Sequence, residues 1–335
     1  MSSVNTMPMA PERPAESRRK RDVIVLVVLF GFVLAGLVGL AAATGWEETK
    51  IQLAKLGWGQ ISILLMLSLV NYLFRAGRWH LFSHHLGLNT TWVQSVQHFI
   101  GGFAMSVTPG RIGELIRMRW IERETGWAFV RTAPLVLVDR ASDLAAMAVL
   151  LAMGVTLGAG GIAYGIPVAI LALTAAFVAT RPALLESLVE IAYSLTGLFP
   201  RLMVRIRRAV SALGIFSKPS VLLPAFALGM IGWFAEGYAF HLLLVWMGAD
   251  IGLWMAMAIF IFSTVAGGLT GAPGGVGGAE AAMVALLSLE GIPLEVSLPA
   301  TAVIRITTLW FAILLGLAVF PMAERISLTH SHSKD

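Results

Sequence analysis

Apolar residues along this chain come in long unbroken runs, without the alternation of half-buried strands or the narrow stripe of a soluble amphipathic helix. The first run, Val23 to Thr44, holds 22 residues without a charge, directly after Arg18, Arg19, Lys20 and Arg21. That is long enough to cross a bilayer. Further apolar segments run from about Leu56 to Phe74, Thr91 to Thr108, Thr132 to Leu157, Ile162 to Thr180, Ser220 to Met247, Ile251 to Ala272 and Val296 to Phe320. Hydrocarbon offers no partner to an unpaired backbone amide, so each segment is read as a helix. The expected fold is all-α, a polytopic integral membrane protein.

Two of these runs end in a helix breaker followed by a carboxylate: TPGRIGE, Thr108 to Glu114, and APGGVGGAE, Ala272 to Glu280. If every run crossed fully, basic loop residues would scatter over both sides. Reading the two Pro-Gly strings as turns of re-entrant hairpins removes the conflict. Thr91 to Thr108 then enters and Ile112 to about Glu122 returns, while Ile251 to Ala272 enters and Val276 to Leu289 returns. Six full spans and two hairpins result. With a cytoplasmic N-terminus, one side receives Arg75, Arg78, Arg117, Arg119, Arg123, Arg131, Arg181, Arg201, Arg205, Arg207, Arg208 and Lys218, and the other only Lys50 and Lys55. Basic residues retained in the cytoplasm are what orients membrane proteins.

Composition supports the membrane reading: 57% of 335 residues are hydrophobic, 13% are charged, and the mean hydropathy is +0.81. Ala41 to Ala43 imitate a signal-peptidase site, but signal cores span only about 7–15 residues, which argues against cleavage. The absence of cysteine excludes disulfides, thiolate metal sites and a cysteine nucleophile. The net charge of +5 is explained by the loop bias, and no nucleic-acid partner is expected. Residues 1–20 read as a cytoplasmic tail, 21–325 as one transmembrane domain and 326–335 as a second tail. Within 183–218, Arg201, Arg205 and Arg208 share one helical face, which fits either a helix on an anionic membrane surface or a solvated connector.

The halves 56–157 and 220–320 repeat four landmarks in one order. Arg75 lies five residues before His80 and Glu236 five before His241; Pro109 and Pro273 follow those histidines by 29 and 32 residues; Pro-Gly-x-x-Gly strings follow; and Arg140 and Arg305 lie 31 and 32 residues after the prolines. In the topology above the halves run in opposite senses, as in the inverted repeats of many transporters, whose broken helices bind substrate near the midplane. A helix stopped at that depth exposes amides and a helix N-terminus that face an anion.

Charged side chains inside a membrane are expensive and face a cavity or a partner. The candidates are Arg75, Arg111, Glu114, Asp139, Arg140, Asp143, Glu236, Glu280 and Arg305. Asp139 and Asp143, four apart, share a helix face; Arg140 points about 100° away and needs a partner on another helix, Glu114 or Glu280, with Arg305 taking the other. Together with Pro109, Gly110, Gly113, Pro273, Gly274, Gly275 and Gly277, the residues Arg75, Arg111, Glu114, Asp139, Arg140, Glu236, Glu280 and Arg305 form the expected substrate-binding set. No catalytic residue, cofactor or metal is expected. His80 and His84 are four apart but lack an HExxH context, and no Walker motif or serine nucleophile elbow occurs. Trp58, Trp79, Trp92, Trp127 and Trp254 fall near segment ends, as an interfacial belt does.

The strings FRAGRWHLF, TPGRIGELIRMRW, VDRASDLAAMAVLL, APGGVGGAEAAMVALLSLEGIP and VIRITTLWFAILLGL resemble the lysylphosphatidylglycerol synthase transmembrane family, also called flippase-like-domain or UPF0104 proteins, from about residue 20 to 325. The resemblance implies a bacterial or archaeal inner-membrane protein related to the lipid-translocating half of enzymes that make and flip aminoacylated phosphatidylglycerol. It implies that Pro109, Gly110, Arg111, Gly113 and Glu114, and Pro273, Gly274, Gly275, Gly277 and Glu280, are the family's two Pro-Gly motifs. Larger members carry a soluble aminoacyl-transferase domain after the membrane part, and this chain stops at Asp335, so it is not expected to synthesise the lipid. Three functions are weighed: a translocase for an anionic or aminoacylated phospholipid or other lipid-linked substrate, without ATP hydrolysis; an accessory or scaffold protein working with a lipid-synthesising enzyme; and a membrane-embedded headgroup-modifying enzyme with Glu114 or Glu280 as general base. Headgroup, direction of transport and oligomeric state do not follow from the residues.

Overall fold

The computed structural model describes residues 46–106, 115–158 and 212–332, with part of 167–194. The expected first span, Val23 to Thr44, lies outside them, as do Arg201, Arg205 and Arg208 and the whole first Pro-Gly motif, Pro109, Gly110, Arg111, Gly113 and Glu114. The protein is all-helical, with no strand among the described residues.

In chain order the helices are α1 (Trp46–Ala54), α2 (Trp58–Leu86), α3 (Trp92–Gly102), α4 (Ile116–Thr125), α5 (Phe129–Leu157), α6 (Pro219–Trp246), α7 (Leu253–Leu269), α8 (Gly278–Leu289), α9 (Leu294–Arg305) and α10 (Phe311–His332). A 3₁₀ turn, Phe103–Met105, extends α3, and a π turn, Ile306–Trp310, joins α9 to α10 without a break. Among the described residues three helices are long and apolar enough to cross a bilayer: Trp58–Leu86, Pro219–Trp246 and the fused Leu294–Thr329. The helix α5 is equally long but carries Arg131, Asp139, Arg140 and Asp143, so composition alone does not mark it as a span. Within 167–194 the described residues are helical except Arg181.

Two helices outrun their apolar segments. The apolar run that opens α2 stops at Phe74, yet the helix continues for twelve residues, through Arg75, Arg78, His80 and His84, to the left-handed cap at Gly87. Polarity does not end a helix when its charges find partners inside the protein, as Arg75 and Arg78 do. At the other end α10 passes Pro321 and runs to His332, into the stretch read from sequence as a tail.

The apolar interior has two layers. One is built on Leu64 of α2, Ala146 to Val155 of α5, Trp233 to Leu244 of α6, and the inner faces of α7, α8 and α9. The other is built on Tyr72 to Leu86 of α2, Phe99 and Phe103, Met118 and Ile121 of α4, Leu135 and Val138 of α5, Val221 and Ala225 of α6, and Ala312 of α10. Thus α2, α5 and α6 run through both layers. Gly229 lets α6 approach the other two, since a Cβ there would stand 3.0 Å from Arg78 Nη1 and 3.2 Å from Ala146 Cβ.

Several side chains assigned to loops or interfaces belong to this interior. Arg78 and Arg117, counted above among cytoplasmic basic residues, are 0% and 1% exposed. Arg117 lies over the rings of Phe99 and Trp79, at 4.5 and 5.2 Å from their centroids, so aromatic faces hold its charge. Trp79 is fully buried beneath it and is no belt residue, whereas Trp58 is 89% exposed.

Candidate functional site

The second Pro-Gly string does what the sequence suggested: it turns the chain between two apolar helices that then pack on each other, α7 and α8. Gly274, Gly275 and Gly277 have φ of 63°, 69° and 85°, where a side chain is strained. Space forbids one as well, because a Cβ on Gly275 would lie 2.9 Å from the carbonyl carbon of Gly267. Glycine is therefore required for the turn and for the closeness of the helices it joins.

Glu280 sits in the first turn of α8 and reaches back to the start of its own helix. Its Oε2 accepts from the Gly277 amide at 2.7 Å, and its Oε1 from Arg305 Nε at 2.6 Å. Arg305, the last residue of α9, also donates through Nη2 to the Gly274 carbonyl at 2.9 Å. Both side chains are 8% exposed. Among the described residues Arg305 Nη1 makes no hydrogen bond. The turn is thus clamped to α9 by an ion pair, and an amide at a helix N-terminus and a guanidinium converge on one anionic group.

Immediately after Arg305 the helix widens into the π turn, a feature frequent at functional positions. Such a turn disturbs the regular ladder, and the Tyr72 hydroxyl of α2 donates to the Thr308 carbonyl. The Tyr72 ring meets Phe103 edge-on at 5.3 Å and Phe311 at 6.1 Å. Leu309 touches the Pro-Gly turn, since a Cβ on Gly274 would stand 3.1 Å from Leu309 Cδ2. Seven residues on, Gly316 lies against the end of α3, where its Cβ would meet the Ala104 amide at 2.3 Å. Seven residues are nearly two full turns, so the two contacts share one face of the α10 helix about 10 Å apart. The glycine turn and the end of α3 therefore abut neighbouring points of one helix.

A second polar cluster separates the two apolar layers, near the middle of α5 and α6. Arg78 donates to Asp139 Oδ1 at 2.6 and 3.1 Å and to Asp143 Oδ1 at 2.6 Å. Arg75 donates to Asp143 Oδ2 at 2.5 Å, and Trp233 Nε1 of α6 to Asp143 Oδ1 at 3.0 Å. All four ionic residues are buried, with two positive and two negative charges in balance. Such a cluster ties three helices together in one register, and losing any member leaves an uncompensated buried charge.

The sequence-predicted residues divide accordingly. Gly274, Gly275, Gly277, Glu280 and Arg305 meet at the second break, beside Pro273. Arg75 and Asp139 belong to the ionic layer instead, with Arg78, Asp143 and Trp233, which the predicted binding set omitted. Arg140 approaches Asp143 one turn along its own helix at 3.9 Å, and its side chain is 33% exposed. Glu280 is not its partner, being held by Arg305. Glu236 is buried on α6. His80 and His84 hydrogen-bond to Ser95 Oγ at 2.9 Å and the Thr90 carbonyl at 3.0 Å. A signal for Arg78 was present in the sequence: two aspartates four apart on one helix match two arginines three apart on another.

Spanning helices, a helix broken by glycines between apolar segments, and ion pairs buried among them define a polytopic α-helical membrane protein. The chain belongs to the family described as the lysylphosphatidylglycerol synthase TM region, whose model matches residues 23–316. It is also similar to a UPF0104 membrane protein of Methanothermobacter thermautotrophicus, 28% identical over 107 residues. That match covers 32% of each chain, so only about a third of the relative's length is spanned.

Proposed function

We propose that this protein is a lipid translocase, moving an anionic or aminoacylated phospholipid or other lipid-linked substrate between the leaflets of the cell membrane without hydrolysing ATP. The observation that carries the reading is the second helix break, where Arg305 and the Gly277 amide converge on an anion between helices that otherwise present apolar faces. A phosphate at that place leaves the acyl chains in the hydrocarbon beside α7 and α8. Membership of a family named for lysylphosphatidylglycerol synthase supports a lipid as the substrate. In this reading α7 and α8 are a re-entrant hairpin, the segment around Pro109 is its inverted counterpart, the N-terminus is cytoplasmic, and the protein transports without chemically altering its lipid.

The test is reconstitution into vesicles carrying a headgroup-labelled fluorescent phosphatidylglycerol, with a membrane-impermeant quencher added outside. Protein should render the inner-leaflet pool accessible, with or without an imposed proton gradient. A pool that stays protected under every gradient refutes transport. A chemically altered headgroup in the recovered lipid would decide for an embedded enzyme instead.

A further inference from the structure

We propose that Glu280 is an internal stand-in for the substrate's phosphodiester, holding the lipid-phosphate site closed until a lipid displaces it; this rests on the translocase reading above.

The argument begins with the donors. Each carboxylate oxygen of Glu280 takes one of them, the Gly277 amide at 2.7 Å and Arg305 Nε at 2.6 Å. A phosphodiester presents the same pattern, one negative charge over two non-bridging oxygens with a similar spread. Arginine suits both groups because its planar fork matches carboxylate and phosphate alike. Arg305 also has a nitrogen to spare, since Nη1 is unbonded among the described residues although the side chain is more than nine-tenths buried. Glu280 as placed leaves that nitrogen unengaged, and a bulkier phosphodiester can engage it. Backbone freedom is present as well, because the amide that must re-aim belongs to Gly277, next to a turn whose residues Gly274 and Gly275 also sit at positive φ.

Charge decides the second half of the exchange. Among the described residues of the three helices that meet at the turn, Arg305 is the one cation: α7 carries no titratable side chain, α8 carries only Glu280 itself, and α9 brings Arg305, with Glu295 far off in its first turn. The lipid phosphate takes the carboxylate's place beside Arg305, one negative charge exchanged for another. Glu280→Gln removes the competing charge permanently.

The experiment uses the full chain in detergent, with dihexanoylphosphatidylglycerol and inorganic phosphate as separate probes and tryptophan fluorescence or calorimetry as readout. An internal competitor lowers apparent affinity by the fraction of time it occupies the site, so E280Q should bind the short-chain lipid about tenfold more tightly than wild type. Adding Arg305→Gln to E280Q should abolish that gain. Equal or weaker binding by E280Q overturns the proposal, and inorganic phosphate binding as tightly as the lipid overturns the lipid assignment. Should E280Q fail to fold, Glu280→Asp serves. Its shorter carboxylate keeps the charge but cannot hold both donors, so tighter lipid binding is again expected and unchanged affinity overturns the idea. The two failures are separable: binding that responds to E280Q without any transport sinks the translocase, and transport with lipid affinity indifferent to E280Q sinks only the stand-in.

Discussion

Asp143 is where the ionic layer is most exposed to a single substitution. It accepts from Arg75 at 2.5 Å, from Arg78 at 2.6 Å and from Trp233 at 3.0 Å, so one carboxylate joins α2, α5 and α6. Asp143→Asn keeps the volume but removes the charge and turns an N–H donor toward a guanidinium. Two buried arginines then face the single carboxylate of Asp139. Breaking a buried pair by removing one partner costs about 3–5 kcal/mol, and the full amount applies because neither arginine can reach water without unpacking α2 from α6. Reversible unfolding of the detergent-solubilised protein in a denaturing surfactant measures the loss. A second variant isolates the charge. Arg75→Met added to Asp143→Asn restores the balance of one cation and one anion, and should recover at least half of the deficit as a coupling between touching residues. Asp143→Asn within about 1 kcal/mol of wild type, or a double variant as unstable as the single, refutes the view that this layer locks the helices.

Two further outcomes follow from close approaches. Gly316→Val places a branched side chain where a Cβ already meets the Ala104 amide at 2.3 Å, and backbone cannot yield as a flexible side chain does; a loss of about 3 kcal/mol is expected, with faster proteolysis near Phe103 as the local signature. Tyr72→Phe deletes the hydroxyl that donates to the Thr308 carbonyl but keeps the ring against Phe103 and Phe311. It should cost only about 0.6–1.7 kcal/mol, the range of intramembrane hydrogen bonds, and a larger loss would mean that the π turn depends on Tyr72 to form.

How far the sequence could be read depended on which force was at work. Apolar length located α5, α6, α7 and α8 to within three residues at each end, because in hydrocarbon the backbone has no alternative to a helix. The glycine turn was legible for a different reason: Pro273 interrupts a helix, and the glycines after it reach the positive φ that a tight turn demands. The Arg305–Glu280 pair was one of two arrangements left open by spacing, and Arg305 resolves it by ending α9 beside the turn. Composition misled where charge was compensated in three dimensions. Arg75 looks like the end of a span, and Arg78 like a loop residue, until two aspartates on α5 are placed opposite them. Trp79 was misjudged likewise, since a tryptophan seven residues before the end of α2 is an interfacial anchor only if nothing covers it.

One rod of helix, α10 with its π turn, touches the glycine turn at Leu309 and the end of α3 at Gly316. Turning it by one residue's worth, about 100°, would sweep both contacts away in the same stroke. A shift of that helix that frees one contact frees the other, so the glycine turn and the end of α3 are geared together by a shared axle.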